Sequence, residues 1–170
     1  IIKHKPHTTK YIAKYEASYL FTDKNTKFKI CNCPPDFHPV NKLYSRQMLL
    51  KNGIRFQEHI YYEDVSFVSK SIYCANGIVT VPNTYYHYMY NGESTVKSRQ
   101  TLQKQQDLYN ARKGFVDFAA AQAINIPDSY KSITYRIYEI FGVTLLKIKE
   151  RDGVKVWRLF DFIPLFKKRG

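Results

Sequence analysis

Two adjacent carboxylates, Glu63 and Asp64, follow the tyrosines Tyr61 and Tyr62 and precede the apolar residues Val65, Phe67 and Val68. Carboxylates in such a place admit two chemistries. At the first turn of a helix they accept hydrogen bonds from unpaired backbone N–H groups and favour the positive end of the macrodipole, a stabilisation of about 0.3–2 kcal/mol. One of them, kept ionised there by the dipole, is equally placed to act as a general base towards a hydroxyl. The local pattern leaves both readings open. Other reactive residue types are sparser. Cys31, Cys33 and His38 lack both a fourth ligand and the CxxC spacing of a zinc site. His87 stands alone in "TYYHYMY", where a half-buried hydrogen bonder is the ordinary reading.

The elements that must carry these residues follow from periodicity. The pair opens "DVSFVSKSIYCANG", in which Val65, Val68, Ile72 and Tyr73 recur at helical spacing and Asn76-Gly77 ends the run. Upstream, "NKLYSRQMLLKNG" predicts a helix with Gly53 at its C-terminal cap. "CNCPPDFHPV" predicts an irregular connection, broken by Pro34, Pro35 and Pro39. "KPHTTKYIAKYEASYLFT" predicts a further helix, capped by Thr8 or Thr9, with Tyr11, Ile12, Tyr15, Tyr19 and Leu20 on one face. "IVTVP" predicts a strand stopped by Pro82, and "TYYHYMY" a second extended piece. Beyond Ser94 two long helical patterns follow, the second with Tyr130, Ile133, Ile137, Ile140, Phe141, Thr144, Leu145 and Ile148 on one stripe and Pro127 in its first turn. The expected organisation is α+β and helix-rich, with a boundary near residue 97 separating mixed α/β at 1–96 from a helical extension at 97–170.

The 170 residues suffice for a substantial core, and an odd set of three cysteines argues for a reduced, cytoplasmic protein. The formal net charge of +13 is a positive field that attracts anions: nucleic acid, anionic lipid or phosphorylated molecules. No apolar run reaches the roughly 20 residues of a membrane span. In the last segment, residues 156–169, apolar and aromatic groups such as Trp157, Phe160, Phe162 and Phe166 interleave with Arg158, Lys167, Lys168 and Arg169. Such a segment suits peripheral docking on the inner face of an anionic membrane, and equally an apolar strap with a solvated tail.

Four landmarks in order, Asn41-Lys42-Leu43-Tyr44, Gly53-Ile54-Arg55-Phe56, Tyr62-Glu63-Asp64 with Phe67, and Ile78-Val79 leading to Pro82, then a tyrosine-rich strand and Ser94, resemble the second half of the catalytic domain of family 2 glycosyltransferases. These are the GT-A-fold enzymes of bacterial lipopolysaccharide and capsule synthesis. The ending "RLFDFIPLF" resembles one common among them. The resemblance implies the acceptor-side half of a GT-A domain at 1–96 and an inverting transfer from a nucleotide-sugar donor to a glycan or lipid-linked acceptor. It implies Asp64 as the general base, Glu63 holding the acceptor or positioning Asp64, Asn41 and Lys42 near the donor diphosphate, and tyrosines such as Tyr62 and Tyr88 against sugar rings. It implies His87 in a site for a divalent cation, Mg²⁺ or Mn²⁺, in the longer enzyme, with none bound to this stretch alone. Departures are also present. Val40 stands where the family often has Trp, and Met89, Tyr90 and Asn91 where it often has Arg. No D-x-D precedes residue 40 and no βαβ nucleotide-binding half is present, so the stretch is expected to be part of a longer enzyme and inactive by itself. Two rival expectations are a nucleic-acid-binding module, from charge and tyrosine content, and a catalytically silent domain whose helical extension pairs with a second copy or another subunit.

Overall fold

The computed structural model describes residues 2–5, 8–11, 15–89, 101–131, 134–140, 143–151, 154–159 and 163–169. The chain is α+β and divides into two compact units, Ile1–Thr101 and Leu102–Gly170. Along the first run β1 (Ile2–Lys5), β2 (Thr8–Tyr11), β3 (Leu20–Phe21), α1 (Lys24–Ile30), α2 (Arg46–Lys51), α3 (Glu63–Cys74), β4 (Ile78–Val79) and β5 (His87–Tyr88). Strand β1 pairs antiparallel with β2 and parallel with β5, while β3 pairs antiparallel with β4. Thr80, buried just after β4, secures that second ribbon. Its Oγ1 accepts the Tyr19 N–H at 3.0 Å and donates to the Ala17 carbonyl at 3.1 Å, and its own N–H donates to the Tyr19 carbonyl at 3.1 Å.

The helix expected over residues 5–22 is not formed. Thr8, Thr9 and Tyr11 lie in β2, and Leu20 opens β3, because β-branched and aromatic residues there find strand partners. Ile12 lies outside the described residues. A helix that periodicity did not announce, α1, begins instead at Asp23, whose Oδ1 accepts the N–H and the hydroxyl of Thr26, each at 2.8 Å. Helix α2 begins at Ser45, whose hydroxyl accepts the Met48 N–H at 3.3 Å.

Both helices end in the same way. After α1, Asn32 turns left-handed (φ 51°), its N–H reaching Lys29 O and the Cys33 N–H reaching Phe28 O. After α2, Gly53 does so (φ 60°), with bonds from Gly53 to Leu50 and from Ile54 to Leu49. This geometry satisfies the last carbonyls and folds an apolar residue back on the helix. Cys33 and Ile54 are accordingly buried. Helix α3 ends differently: the ammonium of Lys27, reaching across from α1, donates to the carbonyls of Tyr73, at 3.2 Å, and of Ala75. A cation at a helix C-terminus complements the macrodipole there. The core of the unit is Phe28, Phe37, Ile54 and the inner face of α3, where Val65, Val68, Ser69 and Ile72 fall at helical spacing.

The second unit begins with α4 (Leu102–Ala121), as expected, and a one-turn α5 (Asp128–Lys131). Helix α4 closes on a left-handed Ala123 (φ 48°), with bonds from Ala123 to Ala120 and from the buried Ile124 to Ala119. Tyr130 packs edge-on to Phe115 with centroids 5.6 Å apart and lies under the Arg112 guanidinium at 5.4 Å. The long second helix expected over 127–150 is corrected to strands. After α5 the chain forms β6 (Thr134–Ile140), β7 (Val143–Arg151), β8 (Val154–Leu159) and β9 (Ile163–Arg169), an antiparallel meander in that order. Isoleucine, valine, threonine and tyrosine dominate this stretch, and each loses side-chain freedom in a helix that it keeps in a strand. The helical extension is therefore helical only in its first part. Pro164 sits in edge strand β9 at a register shift, where its missing N–H breaks little of the ladder.

The expected boundary near residue 97, together with Tyr90, Ser94, Ile133, Phe141, Phe160 and Phe162, lies outside the described residues. No helix among the described residues is long and apolar enough to cross a membrane.

Candidate active site

Glu63 and Asp64 occupy the first two positions of α3, as the sequence predicts. The turn that delivers them is conformationally costly. Tyr62, which precedes the helix, is left-handed (φ 63°, ψ 32°) and makes no side-chain cap, and His59 three residues earlier is also left-handed (φ 60°). A bulky residue in that region costs roughly 1–2 kcal/mol, and such outliers concentrate at functional sites.

Aromatic packing holds this turn against the preceding loop. Phe67, buried on α3 one turn after Asp64, stacks on Phe56 with centroids 3.9 Å apart and planes 11° apart, and meets the Tyr44 ring edge-on at 5.2 Å. Each such pair contributes about 0.5–1.5 kcal/mol beyond area burial. Both the 53–62 segment and the 31–45 loop are thus fixed to the helix that carries Asp64. The loop is braced internally as well. Asp36 Oδ1 accepts the His38 N–H at 2.9 Å, and the Lys42 ammonium donates to His38 O at 2.9 Å and to Asn41 Oδ1 at 2.8 Å. Lys42 therefore spends two of its three N–H groups within the loop, leaving one for an anion.

Asp64 is half-buried, and its acidity reflects that. Burial, and then the charge of neighbouring Glu63, raise its pKa above the ordinary carboxylate value. The Val65 N–H, the imidazole of His38 and its own N–H oppose this without cancelling it. The helix start was expected to hold the group ionised; the shift is upward because desolvation and Glu63 exceed the opposing backbone N–H bonds and His38. A carboxylate so perturbed is a stronger base than a solvated one. Tyr44, on the far side of the loop, has a buried hydroxyl with no hydrogen-bond partner among the described residues, and burial followed by Cys31, Cys33 and Asp36 pushes its pKa upward.

The fold thus brings the Asn41–Lys42 loop and the Glu63–Asp64 turn onto one framework, joined by Tyr44, Phe56 and Phe67, with Tyr62 half-buried at the turn itself. His87 and Tyr88 are placed elsewhere, on β5, hydrogen-bonded to β1 opposite Ile2 and Lys3, and His87 is exposed. Among the described residues no group of three or more His, Cys, Asp and Glu, His87 included, is arranged to hold a metal ion. The same holds for Cys31, Cys33 and His38; burial raises the pKa of both thiols. Sequence reasoning missed His38 as a neighbour of Asp64, for only the folded loop brings it there, and its sequence signal was confined to the cysteines. Comparison with protein-family models, with curated proteins and with solved structures found no match in any of the three.

Proposed function

We propose that the chain is the acceptor-side part of an inverting family 2 glycosyltransferase of the GT-A type, acting in bacterial surface polysaccharide synthesis, with Asp64 as general base. The acceptor hydroxyl attacks the anomeric carbon of a nucleotide-sugar. As the new C–O bond forms, the hydroxyl proton passes to the Asp64 carboxylate and the C–O bond to the diphosphate breaks, the nucleoside diphosphate leaving with the electron pair. Glu63, adjacent to Asp64, keeps its neighbour basic and is placed to hold a second acceptor hydroxyl. The remaining N–H of Lys42 is available to the departing diphosphate.

The observation that carries this reading is the half-buried Asp64 at the start of α3, its carboxylate made more basic by burial and by Glu63 behind a strained Tyr62 turn. Its supports are the ordered landmarks of the sequence and the framework that joins the 41–42 loop to the 63–64 turn. The experiment is transfer from labelled nucleotide-sugars by the protein expressed from its whole reading frame, compared with Asp64→Asn. Removing a general base costs about 10²–10⁴ in turnover, with donor binding unchanged. Turnover by Asp64→Asn within a few-fold of the parent would overturn the assignment of the base.

A further inference from the structure

Residues 55–61, the loop before α3, are exposed throughout, yet one of them is held in a fixed pose. Phe56 lies flat on Phe67, with ring planes 11° apart and centroids 3.9 Å apart, and Phe67 is itself buried and braced edge-on by Tyr44. A parallel stack covers one face of a ring and leaves the other. Phe56 remains 46% exposed, so its outer face is open to solvent on a rigid base. Phe67 follows Asp64 by three residues and Glu63 by four. Residues at those spacings are neighbours on a helix surface, about 5–6 Å apart at Cβ. The stack therefore stands one helical turn from both carboxylates, a gap that one or two sugar rings bridge.

We propose that Phe56 is the platform for a pyranose ring of the acceptor, which lays its C–H face on the phenyl ring and turns its hydroxyls towards Glu63 and Asp64. The inference rests on the glycosyltransferase reading of this site and adds a residue that selects the acceptor. The π face of an aromatic ring carries partial negative charge, and the axial C–H groups that gather on one side of a pyranose carry partial positive charge. A sugar is thus divided as the site is, apolar on a flat face and hydroxylic at its rim. The half-buried Glu63 and Asp64 are hydrogen-bond acceptors when ionised, which suits hydroxyl donors and opposes the phosphates of a nucleotide. Because Phe67 and Tyr44 already fix the ring, little side-chain freedom is lost when a sugar settles on it. Tyrosines were the aromatic groups expected against sugar rings; the ring laid flat on the helix that carries the carboxylates is that of Phe56.

The test is saturation-transfer NMR on the protein expressed from its whole reading frame, without donor. The probes are methyl β-galactopyranoside, methyl β-glucopyranoside and methyl α-mannopyranoside, with uridine monophosphate as the competing class. The expected result is binding of at least one pyranoside, with the protons of a single face receiving the largest transfer. Phe56→Leu, which keeps an apolar partner for Phe67 but has no π face, weakens that binding about two- to tenfold, while Phe56→Tyr retains it. In the transfer assay Phe56→Leu raises the acceptor KM and leaves the donor KM unchanged. Circular dichroism checks that both variants are folded. Equal binding by the parent and Phe56→Leu, equal losses in Phe56→Leu and Phe56→Tyr, preference for uridine monophosphate over every pyranoside, or no pyranoside binding at millimolar concentration would each overturn the inference. The two readings fail separately. Loss of transfer in Asp64→Asn with an unchanged acceptor KM in Phe56→Leu removes the platform and leaves the base; pyranoside binding that depends on Phe56 in a protein that transfers no sugar supports the platform and removes the glycosyltransferase reading.

Discussion

Gly53 and Ala123 occupy the same position, the left-handed residue just past a helix, and this predicts opposite effects for exchanging them. At Gly53 (φ 60°) an added Cβ would meet no atom within 4 Å, so Gly53→Ala carries no steric term beyond the backbone conformation itself. Placing an L-residue there costs about 1–2 kcal/mol, offset by about 0.4–1 kcal/mol because alanine restricts the unfolded chain. The net loss is about 1 kcal/mol. Ala123 (φ 48°) already bears the first cost, so Ala123→Gly should gain a similar amount. With urea slopes of about 1–3 kcal/mol/M, each change moves its midpoint by roughly 0.3–1 M, in opposite directions. The single tryptophan, Trp157, reports the second unit by fluorescence, and far-UV circular dichroism follows the helices of both units. Midpoint shifts of the same sign for both variants would refute the argument that backbone handedness controls these two caps.

Two further predictions concern stability. Thr80→Val keeps shape but leaves the Tyr19 N–H and the Ala17 carbonyl unpaired, and should cost about 1–3 kcal/mol in urea denaturation, whereas Thr80→Ser, which keeps the hydroxyl, should cost less. Asp64→Asn tests what the carboxylate does at its helix. Because the folded pKa of Asp64 is raised, its ionised form is disfavoured in the fold, and this penalty is absent below the unfolded value of 3.8 and complete above the folded one. The variant should therefore be the more stable at pH 7, its advantage closing as pH falls through the folded pKa towards that value. A loss of about 0.5–2 kcal/mol at pH 7 would instead mean that Asp64 serves mainly as a cap.

Helix α3 was legible because its apolar residues fall on one stripe and its carboxylates mark its start, features that survive any tertiary context. Helix α1 was not, because seven residues give too short a period; its signal was the Asp23–Thr26 cap. The meander was misread because Ile137, Ile140, Thr144 and Ile148 satisfy helical spacing while the same stretch also alternates. Two dipeptides favour the strand reading: Phe141-Gly142 between the paired Ile140 and Val143, and Asp152-Gly153 between the paired Arg151 and Val154, the latter a composition that two-residue hairpin connections prefer. At the candidate site, the place of Asp64 could be read from the chain. Its basicity could not, since that depends on burial and on His38, which the loop supplies from a different element. Nor could the bonds of Lys42, which brace its own loop with two of the ammonium's three N–H groups.

The pairing of β1 with β5 joins Ile2 to His87, whereas the strands of the meander follow one another directly in sequence. During synthesis at about 5–20 residues per second, β1 must wait roughly 4–17 s before its parallel partner exists. For that time the nascent ribbon of β1 and β2 carries an open edge, the kind of template on which chains aggregate. Lys3 and Lys5 in β1 and Lys10 in β2 place charge along the ribbon while it waits. Charge along an unpaired edge disfavours pairing with another chain, so these lysines suit a ribbon whose β1 edge stays open until β5 is made and whose β2 edge stays open in the finished sheet.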